Sequence, residues 1–191
     1  MKLAVLLPGI GYTCDKPLLY YSGKLARALG WEILPVPYGG FPAKVRGDRA
    51  RLRQSMDIAL AQTEELLRDI DWSACEQIVF FSKSIGTAAA TAYAAAHGLP
   101  CRHVLFTPLA ETFAHPVRDA VAFHGTADPW AETAEIRRLC EASRIPLFLT
   151  ENANHSLETG DVALDIRHLE AVIRQVQAYL ADPDAKETRP C

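Results

Sequence analysis

No stretch of the 191 residues approaches the roughly 20 consecutive apolar positions that a membrane-spanning helix needs. The apolar run Leu3–Leu7 stops at Pro8 and Gly9, too short for the core of a signal peptide, so a cytoplasmic location is expected. The five cysteines, at 14, 75, 101, 140 and 191, are odd in number and form no C-x-x-C pair. That argues against a disulfide framework and against a zinc site, and a reduced, metal-free protein with no cofactor is expected. Charge of either sign is nearly balanced, 20 Lys and Arg against 23 Asp and Glu, for a net charge of −3. No global positive field exists to attract nucleic acid or an anionic membrane, and neither is expected as a partner.

What is present is an ordinary globular composition, 49% hydrophobic and 23% charged, which excludes disorder, collagen and coiled coil. At this length the chain is the size of one domain and buries roughly 70% of its unfolded surface, enough for a core without staples. Residues 1–181 are read as that domain. The polar tail Asp182–Cys191, with two prolines, is expected to fray.

Short continuous apolar runs appear at Leu3–Leu7, Glu32–Val36, Gln77–Phe81, Arg102–Phe106, Ala120–Phe123 and Pro146–Leu149. They do not alternate with polar residues, which suits strands buried on both faces of a parallel sheet. Helical stripes lie between them. One follows Asp48 through Leu52, Met56, Ala59/Leu60, Thr63, Leu66/Leu67 and Ile70, with Asp48 placed to cap it. An alanine-rich helix runs from about Ile85 to His97 and closes with Gly98 and Pro100. A third stripe is Val162, Ile166, Leu169, Ile173, Val176 and Leu180. Alternating strands and helices, joined by right-handed crossovers, predict a three-layer α/β/α domain around a mostly parallel six-stranded sheet.

In such sheets ligands gather at the carboxyl ends of the strands. After the first strand comes Pro8-Gly9-Ile10-Gly11-Tyr12-Thr13, and after the third Ser82-Lys83-Ser84-Ile85-Gly86-Thr87. After the fifth comes His124-Gly125-Thr126-Ala127-Asp128-Pro129-Trp130, and after the sixth Glu151-Asn152-Ala153-Asn154-His155-Ser156. A hydroxyl, a carboxylate and an imidazole thus leave one sheet edge in the order Ser, Asp, His.

These segments resemble the α/β-hydrolase superfamily in a small form without a lid. SKSIG is similar to the G-x-S-x-G nucleophile elbow, with Ser82 in place of the first glycine. HGTADP resembles the turn that presents the acid, and NANHS the loop that presents the histidine. The resemblance covers roughly Leu3 to Leu180 and implies a trimmed core with strand order 2-1-3-4-5-6. It implies Ser84 as nucleophile, His155 as base and Asp128 as acid, with the N–H groups of Ile85 and Ile10 as oxyanion donors. Gly11 or Tyr12 could supply the second donor instead. Gly9, Gly11, Ser82 and Gly86 would shape the loops by being small. Only Thr107–Asp119 separate the fourth and fifth strands, too little for a lid.

Tyr12, Lys83, Thr107, Trp130 and Leu157 are the candidate pocket walls. Lys83 could steer an anionic substrate or simply sit solvated at the elbow. Asp128 could instead cap a helix beginning near Pro129, with Glu151 and Glu158 as rival acids. His124 is read as ordering its turn, and Cys14 as a small buried apolar residue. A Walker-type phosphate loop fails, since Gln77 and Ser82 stand where glycines are required. A dinucleotide loop fails too, since Cys14 stands where the third glycine of G-x-G-x-x-G belongs.

The reading is a serine hydrolase of small-molecule carboxylic esters or thioesters. The alternative is a catalytically silent scaffold that binds a small molecule or a protein partner.

Overall fold

The computed structural model describes residues 1–181; the frayed tail expected at Asp182–Cys191 lies outside them. The strands are β1 (Lys2–Leu7), β2 (Glu32–Pro35), β3 (Gln77–Lys83), β4 (Arg102–Phe106), β5 (Ala120–Gly125) and β6 (Leu147–Thr150). The helices are α1 (Pro17–Ala28), α2 (Arg49–Leu67), α3 (Ile85–Ala96), α4 (Thr133–Ala142) and α5 (Val162–Ala181). All six strands form one sheet in the order β2-β1-β3-β4-β5-β6. Each of its five pairings is parallel, so every strand delivers its carboxyl end to the same edge.

Burial explains the continuous apolar runs. Leu3, Val5 and Leu7 of β1 pack with Ile78 and Phe80 of β3 and Ala90 and Tyr93 of α3. The alternate residues Ala4 and Leu6 pack with Val79 and Phe81 under Leu18 and Leu19 of α1 and Val172 and Val176 of α5. Both faces are therefore dry, and each strand needs apolar side chains at successive positions. Farther along the sheet, Leu105 and Ala122 meet Ile136 and Cys140 of α4.

The caps are local chemistry. Asp48 Oδ1 accepts from the Arg51 N–H at 3.0 Å, which fixes the start of α2. Pro17 begins α1, where its missing N–H is no loss, and the Tyr12 hydroxyl accepts from the Leu18 N–H at 3.0 Å. Gly98, at φ +59°, turns the chain out of α3.

Several boundaries differ from the sequence reading. β3 continues through Ser82 and Lys83, and β5 through His124 and Gly125, because their parallel neighbours still pair there. α4 begins at Thr133 behind Glu132, so Asp128 caps no helix. Leu66 lies on the exposed side of α2. Val162 and Ile166 are 72% and 63% exposed, so the apolar stripe of α5 is covered only from Leu169 onward. They border a cavity of about 390 Å³ with Pro17, Leu18 and Leu157.

The connection from β4 to β5 holds a 3-10 turn, Ala110–Ala114, tied down on α3. Thr87 and Thr112 share a hydroxyl hydrogen bond, and Thr91 Oγ1 donates to the Thr112 carbonyl at 2.9 Å. There is no lid. Among the described residues no helix is long and apolar enough to cross a membrane.

Gly86 lies where α3 crosses the end of β1. A Cβ at this position would stand 2.5 Å from the Leu7 carbonyl oxygen and closer still to that of Pro8. Backbone atoms cannot yield as a flexible side chain can. Gly86→Ala is expected to destabilise the fold by about 3 kcal/mol, read as a lowered denaturant midpoint at unchanged slope. An unchanged midpoint would contradict this docking of α3.

Candidate active site

Ser84 is the single residue between β3 and α3 and has φ +56°, ψ −124°. A non-glycine residue in this region carries strain of order 1–3 kcal/mol, held only by its surroundings. Its N–H donates to the Phe106 carbonyl at 3.0 Å, and its carbonyl accepts from the Thr87 N–H at 2.9 Å. A Cβ on Gly9 would lie 3.0 Å from the Cβ of Ser84, so the loop after β1 approaches the turn closely.

Two further strand ends supply partners. The loop after β5 and the loop after β6 are hydrogen-bonded together along their length. Thr126 N–H donates to the Thr150 carbonyl at 3.0 Å, Ala127 N–H to the Ala153 carbonyl at 2.9 Å, and Asn152 N–H to Thr126 Oγ1 at 2.8 Å. Gly125 allows this approach, since a Cβ there would stand 2.6 Å from the Asn154 carbonyl oxygen. The Asn154 side chain then accepts from the Ser156 N–H at 2.7 Å and the Glu158 N–H at 3.3 Å, which bends the chain around His155.

The result brings together Ser84, Asp128 and His155. His155 Nδ1 is 2.7 Å from Asp128 Oδ2, and His155 Nε2 is 2.8 Å from Ser84 Oγ. An ionised carboxylate only accepts, so Nδ1 is the donor in the neutral ring. Nε2 is then the acceptor, and Ser84 Oγ–H donates to it. The other carboxylate oxygen, Oδ1, accepts from the Trp130 N–H at 2.8 Å. Trp130 is half-buried and stacks on the imidazole at 5.3 Å, with 23° between the planes. The rival carboxylates Glu151 and Glu158 are both exposed.

Burial works to raise Asp128, but the hydrogen bond and charge of His155 hold its carboxyl below the usual range. Burial pushes His155 down to about 4 against the pull of Asp128, and the nearby charge of Lys83 pushes the same way. The site therefore holds a neutral imidazole between a hydroxyl and a carboxylate, an arrangement that can take a proton from the one while the other steadies the charge.

Backbone donors are also present. Ile85 N–H is at the first position of α3, where no intrahelical carbonyl can accept it and the helix dipole favours negative charge. In the tight turn after β1, Gly9 N–H donates to the Tyr12 carbonyl at 3.0 Å and Tyr12 N–H to the Gly9 carbonyl at 3.2 Å. Tyr12 N–H is thereby used, which leaves the tip amides of Ile10 and Gly11, the latter at φ +67°.

Of the five expected pocket walls only Trp130 is partly open. Tyr12, Lys83, Thr107 and Leu157 are buried beneath the strand ends. Lys83 is not solvated; its side chain lies on the α1 and α5 side of the sheet, with Nζ 5.0 Å from the centre of the Tyr12 ring. Thr107 stands at φ +43° with its hydroxyl buried and unpartnered. Ser82 is buried under β4, and His124 is buried with Nδ1 3.7 Å from Asp128 Oδ2. Sequence reasoning passed over Gly125 and Asn154 as positioning residues, although the His-Gly step and the Asn-x-Asn run carried the signal. Among the described residues no three His, Cys, Asp or Glu side chains gather so as to hold a metal ion.

No protein-family model and no curated protein sequence matches the chain. Solved structures do match it, over nearly its whole length. A lidless α/β serine hydrolase from Xanthomonas campestris is 15% identical with a TM-score of 0.62, over 91% of this chain and 81% of that one. Est1E from Butyrivibrio proteoclasticus, solved with ferulic acid bound, is 12% identical with a TM-score of 0.66, over 95% and 88%. The esterase Pf2001 of Pyrococcus furiosus is 14% identical with a TM-score of 0.58, over 91% and 83%. At these identities the likeness is one of fold, and the fold is that of the α/β hydrolases.

The buried histidines make stability depend on pH. Burial pushes both His103 and His155 from 6.5 to about 4. Between those values the unfolded chain binds protons that the folded one refuses, so stability falls as pH drops through this window. Each group contributes a slope of about 1.4 kcal/mol per pH unit. Urea midpoints at pH 7 and pH 5 should show the loss, and His103→Gln should reduce it by about one proton's worth. Equal midpoints at the two pH values would contradict the neutral burial of these rings.

Proposed function

We propose that this chain, carrying the α/β-hydrolase fold without a lid, is a serine hydrolase that cleaves a carboxylic ester or thioester through an acyl-enzyme. The observation that carries the reading is the unbroken hydrogen-bond chain from Ser84 Oγ through His155 to Asp128. A serine hydroxyl is a weak nucleophile at neutral pH and needs a base within hydrogen-bond reach. His155 Nε2 accepts the Ser84 proton as Oγ attacks the substrate carbonyl carbon. Asp128 holds the imidazole tautomer and stabilises the imidazolium that forms. The carbonyl oxygen gains negative charge and is met by the N–H of Ile85 and by that of Ile10, with Gly11 as the other possible donor on the same turn.

Collapse of the tetrahedral species breaks the bond to the leaving alkoxide or thiolate, which takes the proton back from His155. Water then repeats the sequence. His155 removes its proton as it attacks the acyl carbon, Ser84 Oγ leaves and recovers the proton, and a carboxylic acid is released. The esterase named among the structural relatives supports an ester as the substrate class. The half-buried Trp130, stacked on the imidazole, offers an apolar surface beside the reacting atoms. With no lid above it, the site suits short or bulky exposed acyl groups better than long lipid chains.

Labelling with a fluorophosphonate and hydrolysis of short p-nitrophenyl esters test the assignment. Ser84→Ala should abolish labelling and lower kcat/KM by about 10³-fold or more, and His155→Ala should cost about as much alone as the two together. Folded wild-type protein that neither labels nor turns over would replace the enzyme with a silent binding scaffold.

A further inference from the structure

Lys83 is a buried ionisable group beside the nucleophile in the chain that this mechanism leaves idle. Its side chain is 1% exposed, and it immediately precedes Ser84. Among the described residues no carboxylate oxygen comes within 4.0 Å of its ammonium. Its ammonium lies over the face of the Tyr12 ring, whose hydroxyl is already engaged by the Leu18 N–H. A buried cation without a close anion is costly, and a cation–π contact offsets only part of that cost. An unbranched apolar side chain would fill the same channel without that cost. Packing therefore does not account for a lysine here.

The groups around it define what its charge can do. Tyr12 faces it from the loop after β1, and burial raises that phenol well above its ordinary value, so it stays neutral. Asp128 and His124 stand at the end of β5, His155 in the loop after β6, and Glu158 three residues farther on acts on Tyr12. Of these, Asp128 favours the ammonium and His155 is opposed by it. Lys83 and His155, each a cation when protonated, are thus both favoured in that form by Asp128 and opposed in it by each other.

We propose that Lys83 is a positioning residue that acts by charge: while protonated it weakens His155 as a base, and on losing its proton it strengthens it. The inference rests on the hydrolase reading for its effect on rate, though the linkage between the two groups exists without it. Burial pushes Lys83 down to about 7, so the change falls near neutral pH. His155, near 4, has by then long been neutral. Nucleophile reactivity should accordingly rise twice with pH, first as His155 loses its proton and again as Lys83 does.

Lys83→Met keeps the length of the side chain and removes the charge. Wild-type fluorophosphonate labelling is expected to rise in two steps, the second near pH 7. K83M should show only the lower step, moved to higher pH, with labelling at pH 6 at least about threefold faster than wild type and equal within about twofold at pH 9. The ring nitrogens of His155, followed by NMR in the wild type, should show a second inflection near pH 7 that K83M lacks. His124, held low by burial, titrates on the acid side and survives that substitution.

A single inflection in the wild type overturns the inference even if K83M does not fold. So does a folded K83M with an unchanged profile, or one with reactivity lost at every pH. Wild type that fails to label but keeps the second inflection would overturn the hydrolase reading and leave the linkage standing.

Discussion

The backbone of Ser84 is tenable only because two strands and a helix hold it. Left alone, a serine at φ +56°, ψ −124° would relax into the ordinary extended or helical regions. β4 prevents this by accepting the Ser84 N–H at Phe106, and α3 by donating Thr87 N–H back to the Ser84 carbonyl. β1 closes the third side, since Gly86 rests on the Leu7 and Pro8 carbonyls and Gly9 against the Ser84 Cβ. The outward aim of Oγ and the free Ile85 N–H both follow from that one turn. Gly86 and Gly9 are small because atoms of Leu7, Pro8 and Ser84 occupy the space their Cβ would need, whereas Gly11 meets nothing and serves by its φ of +67°.

A second constraint fixes the partners. Gly125 lets the loops after β5 and β6 close on each other, and the bonds from Thr126, Ala127 and Asn152 hold them in register. Asp128 and His155 are thus positioned as one body, to which Trp130 adds a stacked ring. Within this body the charges are few and buried. Asp128 is held ionised, His155 neutral, and the buried Lys83 side chain places its Nζ over the Tyr12 ring.

Much of this was legible because a parallel sheet converts sequence order into geometry. Continuous apolar runs mean both faces are covered, and the residue after each run then falls on one edge. That logic juxtaposes Ser84, Asp128 and His155 without any coordinate. It fails where the decisive information lies outside a residue's own segment. Lysine is ordinarily a surface residue, and nothing in SKSIG says that Lys83 is buried with its Nζ over the Tyr12 ring. The α5 stripe keeps its helical period through Val162 and Ile166, but period does not say where the covering partner ends, and these two border a cavity. α1 carries no clean apolar stripe, because its sequence sets Tyr20 and Tyr21, both exposed, beside the buried Leu18 and Leu19. The loop tip after β1 stayed open between three amides until the Gly9–Tyr12 pairing consumed one of them.

The all-parallel connectivity bears on when the site can exist during folding. Oγ of Ser84 and the imidazole that contacts it are 71 residues apart in the chain, and the carboxylate is 27 residues before the imidazole. No hairpin or other local unit contains two of the three, so the relay cannot form in a partly folded fragment. During synthesis the elbow serine emerges long before residue 155, and β6 must add to the sheet edge before the imidazole has a place to stand. The nascent chain therefore carries a Ser84 hydroxyl without its partner, and the Ser84–His155 hydrogen bond arises only with the last strand in place.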